Sequence, residues 1–347
     1  MAPKSNIKMR TKPNITIIDV AKKAGVSTAT VSRVLSGQKN VSKELVNRVF
    51  SAVDELEYRV SRTAQSLRSN VRSKKIGLIV SDIVNPYFTS VIRGIENVLI
   101  PNNYALLLGD SLEDPAIEFT NIEIMLEEEV SGIIMNTVTA DQDIYQELAQ
   151  QGVPIVFFDR FPQNIQADTV KIDNFGAAHK ATQHLIGLGH TDIGFIGLNE
   201  QASSVSERRD GYLRAIKDAG LVSNKELIIK SNLQVQGGYE GMKQLLLSQK
   251  NNPRAILCAN NQTTTGALIA LSEFKINIPD DIAIIGFDDM PWAASYIPAL
   301  TVIDQNPSHI GKYAAELVLA RIKNPHLPIQ RFSMDAELII RKSCGSL

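Results

Sequence analysis

Two short amphipathic stretches separated by one glycine constrain this chain more than any other feature. Thr16-Ile-Ile-Asp-Val-Ala-Lys-Lys-Ala24 places Ile17, Val20, Ala21 and Ala24 at helical spacing, with Thr16 as N-cap and Asp19 three residues on. Gly25 stops this helix, and Ser27 caps a second one over Thr28–Leu35, which Gly37 ends. Ser42 caps a third helix, Lys43–Leu56, whose apolar stripe is Leu45, Val46, Val49, Val53 and Leu56. Two short helices across a glycine turn make a helix-turn-helix, in which the second helix enters the DNA major groove. Val31, Val34 and Leu35 then face inward, and Thr28, Ala29 and Arg33 face out. Arg33 suits bidentate bonding to guanine, Ala29 a thymine methyl, and Thr28, Thr30 and Ser32 phosphates or bases. The plainer reading of Arg33 is a surface ion pair.

Charge supports a polyanionic partner for this end of the chain. The formal net charge is only -1, but residues 1–75 hold sixteen Lys or Arg against five Asp or Glu, and the remainder holds twenty against thirty-two. A basic module joined to an acidic body favours nucleic acid through attraction and counterion release. Lys4, Lys8, Arg10 and Lys12 lie in a polar tail, read as solvated rather than as a phosphate-seeking arm. Ser61–Arg68 is a helical stretch too short to be stable alone. Two copies packed together on DNA would sustain it and free Leu67 as a minor-groove wedge; otherwise Ala64 and Leu67 pack on their own domain.

From Lys75 onward, apolar strands alternate with helices, beginning with Ile76–Val80 and Pro86–Leu99, and this argues a doubly wound α/β fold. A body of about 270 residues suits two lobes better than one core. A cleft between them, at the strand C-termini, is where a small ligand belongs. Polar and aromatic residues gather at those ends: Asp82, Asn85, Tyr87 and Phe88; Asp159 and Arg160; Asn260 and Asn261; Asp288 and Asp289. Arg208 is expected to open a helix after a serine-rich loop that includes Ser204. Carboxylates and amides bond hydroxyls in pairs and an aromatic ring stacks on a sugar face, so the mixture suits a polyhydroxy ligand. Arg160 has two readings, a ligand contact or a structural ion pair with Asp159 or another lobe.

Enzyme signatures do not emerge. Gly187-Leu-Gly-His190 ends a helix and is no phosphate loop, and Ser203-Ser-Val-Ser206 is not a nucleophile elbow. The five histidines have no metal-ligand spacing, and no cofactor is expected. Cys258 and Cys344 imply no disulfide framework. No apolar run is long enough for a membrane span and no secretory signal precedes the first helix, so a cytoplasmic, nucleoid-associated protein is expected.

Ile18-Asp-Val-Ala-Lys-Lys-Ala-Gly-Val-Ser-Thr-Ala-Thr-Val-Ser-Arg-Val-Leu-Ser-Gly37 resembles the lac repressor/galactose repressor family specifically, and Arg62-Thr-Ala-Gln-Ser-Leu-Arg68 resembles its hinge helix. The resemblance runs through the whole chain. It implies a helix-turn-helix headpiece and a periplasmic-binding-protein-like body of two lobes with three crossings. The layout becomes a basic arm (1–15), a headpiece (16–60), a hinge and linker (61–74) and a body (75–344), with lobe one at 75–166 plus 306–332 and lobe two at 167–305 plus 333–344. By resemblance, Thr28, Ala29 and Arg33 read bases, Leu67 intercalates, Ala64 meets its counterpart and Tyr58 touches the DNA backbone. Thr16, Ser27, Thr30, Ser32 and Arg62 complete the expected DNA-facing set.

In the cleft the resemblance makes Arg208 and Asp288 the strongest ligand contacts, adds Asn260 and Gln305, and makes Tyr87 and Phe88 the aromatic wall. Asp82, Asn85, Arg160 and Ser204 complete that set. Many relatives have Asn-Asp where this chain has Asn260-Asn261, which removes one carboxylate. The expected function is repression of carbohydrate-metabolism genes from a pseudo-palindromic operator, as a homodimer released by a sugar or sugar-acid inducer. The alternatives are a corepressing ligand, a non-sugar metabolite, a protein corepressor and, more distantly, a periplasmic-type solute-binding protein.

Overall fold

The computed structural model describes residues 15–35, 41–56, 73–139, 145, 148, 152–162, 165–199, 202–248 and 253–346. They fall into two compact units divided between Arg72 and Ser73.

The first unit is a three-helix cluster: α1 (Ile17–Ala24), α2 (Thr28–Leu35) and α3 (Lys43–Glu55). Val20, Ala24, Val31, Val34, Val49 and Ala52 form its core. The Thr16 amide and hydroxyl both donate to the Asp19 carboxylate, at 2.8 and 2.7 Å, closing the first turn of α1. Those bonds also hold the Asp19 carboxyl below its usual range. Gly25 turns the chain at φ 65°, and a Cβ there would lie 2.7 Å from the Arg48 guanidinium. Arg48 is placed there because it donates to the Ala24 and Gly25 carbonyls, at 2.6 and 3.2 Å, capping the end of α1 from α3.

The second unit holds two parallel-dominated sheets of six strands. The first sheet has the order β11-β5-β4-β3-β1-β2, with β1 (Lys75–Val80), β2 (Ala105–Asp110), β3 (Gly132–Met135), β4 (Ile155–Phe158), β5 (Asp168–Ile172) and β11 (Arg331–Met334). Helices α4 (Pro86–Leu99), α5 (Pro115–Glu127) and α10 (Pro307–Lys323) cover it. The second sheet has the order β12-β10-β9-β8-β6-β7, with β6 (Ile193–Leu198), β7 (Ile228–Lys230), β8 (Ala255–Cys258), β9 (Ala283–Phe287), β10 (Thr301–Asp304) and β12 (Glu337–Ile339). Its helices are α6 (Asn174–Gly187), α7 (Ser203–Asp218), α8 (Val235–Leu247) and α9 (Asn261–Glu273). Among the described residues, all pairings are parallel except β10 with β12. Central strands such as β3, β4 and β8 are buried at every residue, as sheets covered on both faces require.

The lobe boundaries move from the sequence expectation. β5 pairs with β4 and β11, so the first crossing follows residue 172 rather than 166. β11 belongs wholly to the first sheet, so the last crossing follows residue 334 rather than 332. Glycine sets the tightest helix contact of lobe one: a Cβ on Gly94 would sit 2.0 Å from the Ser308 carbonyl oxygen, and one on Gly311 2.1 Å from that of Val91. Helices α4 and α10 therefore touch backbone to backbone.

Candidate functional site

In the headpiece, the exposed face of α2 carries Thr28, Ala29 and Arg33, opposite buried Val31 and Val34, and Ser32 is half-buried. Ser27 Oγ accepts from the Thr30 amide at 3.1 Å and shares a 2.9 Å hydrogen bond with the Thr30 hydroxyl. Those two hydroxyls thus cap α2, and Thr16 is spent in its own capping box. Tyr58, Arg62, Ala64 and Leu67, expected at the hinge and DNA backbone, lie outside the described residues.

In the body, a cavity of about 170 Å³ opens between the lobes at the strand C-termini. The loop after β1 supplies Asp82 and Asn85, and the first turn of α4 supplies Tyr87 and Phe88. Asn85 caps that helix by accepting from the Tyr87 amide at 3.0 Å, which fixes both rings at the cavity edge. The two rings meet edge to face at 5.1 Å, and Phe88 meets Phe158 at 6.2 Å. Arg160 follows β4, Ser204 and Arg208 come from α7, and Asn260, Asp288 and Gln305 follow β8, β9 and β10. All ten sequence-expected ligand residues therefore line one cavity.

Arg208 sits in the second turn of α7 rather than opening it, because Ser203–Ser206 already form the first turn. Its guanidinium is only 3% exposed and is held on three sides. Nε donates to Asn174 Oδ1 at 2.8 Å, Nη1 to the Ala259 carbonyl at 2.7 Å and Nη2 to Gln305 Oε1 at 2.9 Å. It lies 4.0 Å over the Phe287 ring. Two of its five N–H donors remain uncommitted among the described residues. Gln305 passes the chain on, donating to Asp288 Oδ1 at 2.6 Å. Burial pushes the Asp288 carboxyl up to about 6, against the opposing pull of Arg208 and Gln305. The same burial lowers the Arg208 pKa.

Asp159 and Asp288 occupy matching places in the two lobes. Each follows a buried strand that ends in phenylalanine, each takes a left-handed φ (58° and 68°), and each accepts from an amide at the next strand end. For Asp159 that amide is Asn136 Nδ2, at 3.0 Å.

Arg160 lines the cavity and makes an ion pair, though with neither Asp159 nor the other lobe. Its Nη1 donates to both Glu113 oxygens, at 3.0 and 2.8 Å. Burial opposes its charge, but Glu113, with Asp159 and Tyr87 adding to it, raises the pKa. Among the described residues, Arg160 Nε, the Tyr87 hydroxyl, Ser81 Oγ and Asn261 Oδ1 are buried without a hydrogen-bond partner, and all four residues line the cavity. Burial and the nearby Asp159 and Asp288 carboxylates push the Tyr87 phenol well above its usual range.

Other expected contacts are already occupied. Asn260 caps α9, accepting from the Thr263 amide at 2.9 Å and donating to the Leu233 carbonyl at 2.8 Å. Asp289 turns from the cavity to a two-point ion pair with Arg341, both contacts 2.7 Å. Cys258 and Cys344 are buried and unpaired, and burial pushes the Cys258 thiol up to about 12. Sequence reasoning missed the lining residues Glu113, Asn199, Asn232, Gln234 and Gln262. All sit on loops or helix starts outside the motifs, and their polar type was the only signal.

Comparison with known proteins decides the family. Residues 16–61 match the model described as bacterial regulatory proteins, lacI family, and residues 182–344 match the periplasmic binding protein-like domain. The HTH-type transcriptional repressor PurR of Haemophilus influenzae (strain PittEE) is 34% identical over 336 residues, covering 96% of this chain and 99% of the relative.

The chain belongs to the LacI family.

The PurR repressor of Pasteurella multocida (strain Pm70) is likewise 34% identical, over 95% of this chain and 99% of its own. Among solved structures, the lac repressor dimer bound to operator and the anti-inducer ONPF superposes with a TM-score of 0.82 at 25% identity, covering 95% and 99% of the two chains. A CelR–cellobiose complex gives 0.72 at 27%, over 95% and 99%. A LacI family transcriptional regulator from Enterococcus faecium with bound ribose gives 0.71 at 27%, over 78% and 98%. This LacI-family chain is a DNA-binding transcriptional repressor and not an enzyme. Among the described residues, no helix is long and apolar enough to cross a membrane.

Proposed function

We propose that this repressor's operator affinity is set by a compact, neutral, hydroxyl-rich ligand bound between the lobes, a sugar or close derivative acting as inducer of carbohydrate-metabolism genes. The observation that carries the reading is the Arg208–Gln305–Asp288 chain facing the Tyr87–Phe88 wall. Guanidinium donors and a carboxylate acceptor bracket a hydroxyl pair, while an aromatic surface covers an apolar ring face. The cavity volume of about 170 Å³ is below the range for drug-sized ligands and favours a compact solute.

Charge balance argues against a sugar acid. The cavity lining holds Asp82, Glu113, Asp159 and Asp288 against Arg160 and Arg208, and Glu113 already neutralises Arg160. An added carboxylate or phosphate meets a net negative lining and an arginine with its own counterion. The cellobiose- and ribose-bound relatives support a sugar in this cleft. The protein acts in the cytoplasm as a homodimer, whose paired headpieces read a pseudo-palindromic operator with Thr28, Ala29 and Arg33 at the bases.

Isothermal titration of the full chain with neutral mono- and disaccharides, their acid and phosphate derivatives, and nucleobases tests this reading. Saturable binding by a neutral sugar, with its acid derivative weaker, is expected. Preference for the acid or for a nucleobase would overturn it.

A further inference from the structure

Among the described residues, two pairs of side chains bridge the lobes across the cleft, in addition to the Lys171–Glu207 ion pair that joins β5 to α7. Gln262 Nε2, on the first turn of α9 in lobe two, donates to Asp82 Oδ2 in lobe one at 2.7 Å. One residue earlier, Asn261 Nδ2 donates to Asn85 Oδ1 at 2.7 Å. In both pairs lobe one accepts and lobe two donates.

Neighbouring bonds fix this polarity. Asn85 Oδ1 already accepts from the Tyr87 amide as the cap of α4, so an oxygen must stand at that position and only a donor fits opposite it. An ionised carboxylate at 261 would face that oxygen as a second acceptor. Asp82 is oriented in turn, because its other oxygen accepts from the Val84 amide at 3.1 Å. Asp82 and Asn85 have thus committed the atoms that face lobe two, and their expected role as ligand contacts does not use those atoms.

The geometry points to a closure latch: Asp82–Gln262 and Asn85–Asn261 set the equilibrium between open and closed lobes, and through it the affinity for both ligand and operator. The caps tie it to the rest of the cleft. Asn85 starts the helix that carries Tyr87 and Phe88, and Asn260, beside the two donors, caps α9. A ligand that draws on those aromatics moves the same helix start that bears half of the latch. By linkage, a change in latch strength shifts ligand and operator affinity together, although no latch atom touches DNA.

Polarity reversal tests the latch on the full-length protein. Gln262→Glu sets two carboxylates against each other, and Asn261→Asp does the same to two acceptors. Combining Asp82→Gln with Gln262→Glu restores one donor and one acceptor. Nitroxide labels on Lys217→Cys in α7 and Lys323→Cys in α10, both exposed, read the lobe separation, and the native Cys258 and Cys344 are buried.

Without ligand, Gln262→Glu and Asn261→Asp are each expected to shift the distance distribution and to change operator affinity about three- to tenfold, and the reciprocal pair to return both toward wild type. Asp82→Ala is expected to shift the distance in the same direction as Gln262→Glu, with thermal melting showing that each variant is folded. An unchanged distance in the single variants overturns the latch, including where only ligand affinity falls, since that marks these residues as plain ligand contacts. A reciprocal pair that stays as displaced as Gln262→Glu overturns it as well.

Discussion

The two lobes meet the cavity in different states of readiness. Lobe two presents a finished chain, Asn174–Arg208–Gln305–Asp288, in which each side chain is oriented by the next. Lobe one presents most of the loose ends: among the described residues the Tyr87 hydroxyl, Arg160 Nε and Ser81 Oγ are buried with no hydrogen-bond partner, against Asn261 Oδ1 alone on the lobe-two lining. A buried polar atom without a partner costs free energy that an incoming hydroxyl recovers, whereas a pre-bonded chain gains by being already in place. For the proposed ligand, lobe two would fix its orientation and lobe one would gain most from its arrival.

Arg208→Met strikes the finished side and has the largest expected effect. It strands Asn174, Gln305 and the Ala259 carbonyl at once and removes the cation near Asp288, so ligand affinity falls about a hundredfold or more and the melting temperature drops, read by calorimetry and thermal denaturation. Next is pH. With its carboxyl pushed up to about 6 by burial, Asp288 holds its proton more tightly in the folded chain than unfolded, where the value is 3.8. Its contribution to stability therefore falls as pH rises through that window and stays at the lower level above it. Ligand hydroxyls need the carboxylate, so affinity runs the other way, weakening by up to about tenfold per pH unit below about 6. Asp288→Asn flattens that dependence.

Tyr87→Phe strikes the loose side, and here affinity and stability separate. Ligand affinity falls about tenfold, while the melting temperature holds or rises because a stranded hydroxyl is gone. A parallel loss of stability in Tyr87→Phe would break the contrast between the lobes. The smallest expected effect is Arg160→Lys, about threefold in affinity: lysine keeps the charge beside Glu113 but not the second donor.

The headpiece was legible because its signals are local. Capping residues, Gly25 and the Val31/Val34 face all act within a few residues of themselves, and the three helices appear where the pattern puts them. The alternating series of the body was legible for the same reason. Strands β5, β10 and β11 carry weaker local signals: Asp168–Ile172 and Arg331–Met334 mix polar residues into their runs, and only four residues make up Thr301–Asp304. They exist because a neighbouring strand completes them, and the pairings of β5 and β11 move the lobe boundaries from those the resemblance implied. In the cleft, strand-end polarity and the resemblance together named ten residues that line one cavity. What each does there depended on partners far away in sequence. Glu113 claims Arg160 across 47 positions, and Gln262 meets Asp82 across 180. No pattern within either segment signals such a pairing. The substitution-like feature at Asn261 becomes physical only opposite Asn85, where a donor is required.

The central claim is that a ligand held by Arg208 and Asp288 governs DNA binding by this repressor. Fluorescence anisotropy with a fragment from upstream of its own gene, at fixed salt, measures that coupling directly when wild type and Arg208→Met are compared with and without the best-binding neutral sugar. The expected result is at least a tenfold loss of operator affinity on adding sugar to wild type, equivalent to about 1.4 kcal/mol of coupling, and none in the variant. Tight, specific DNA binding that no sugar alters, or a sugar response that survives in Arg208→Met, would contradict it.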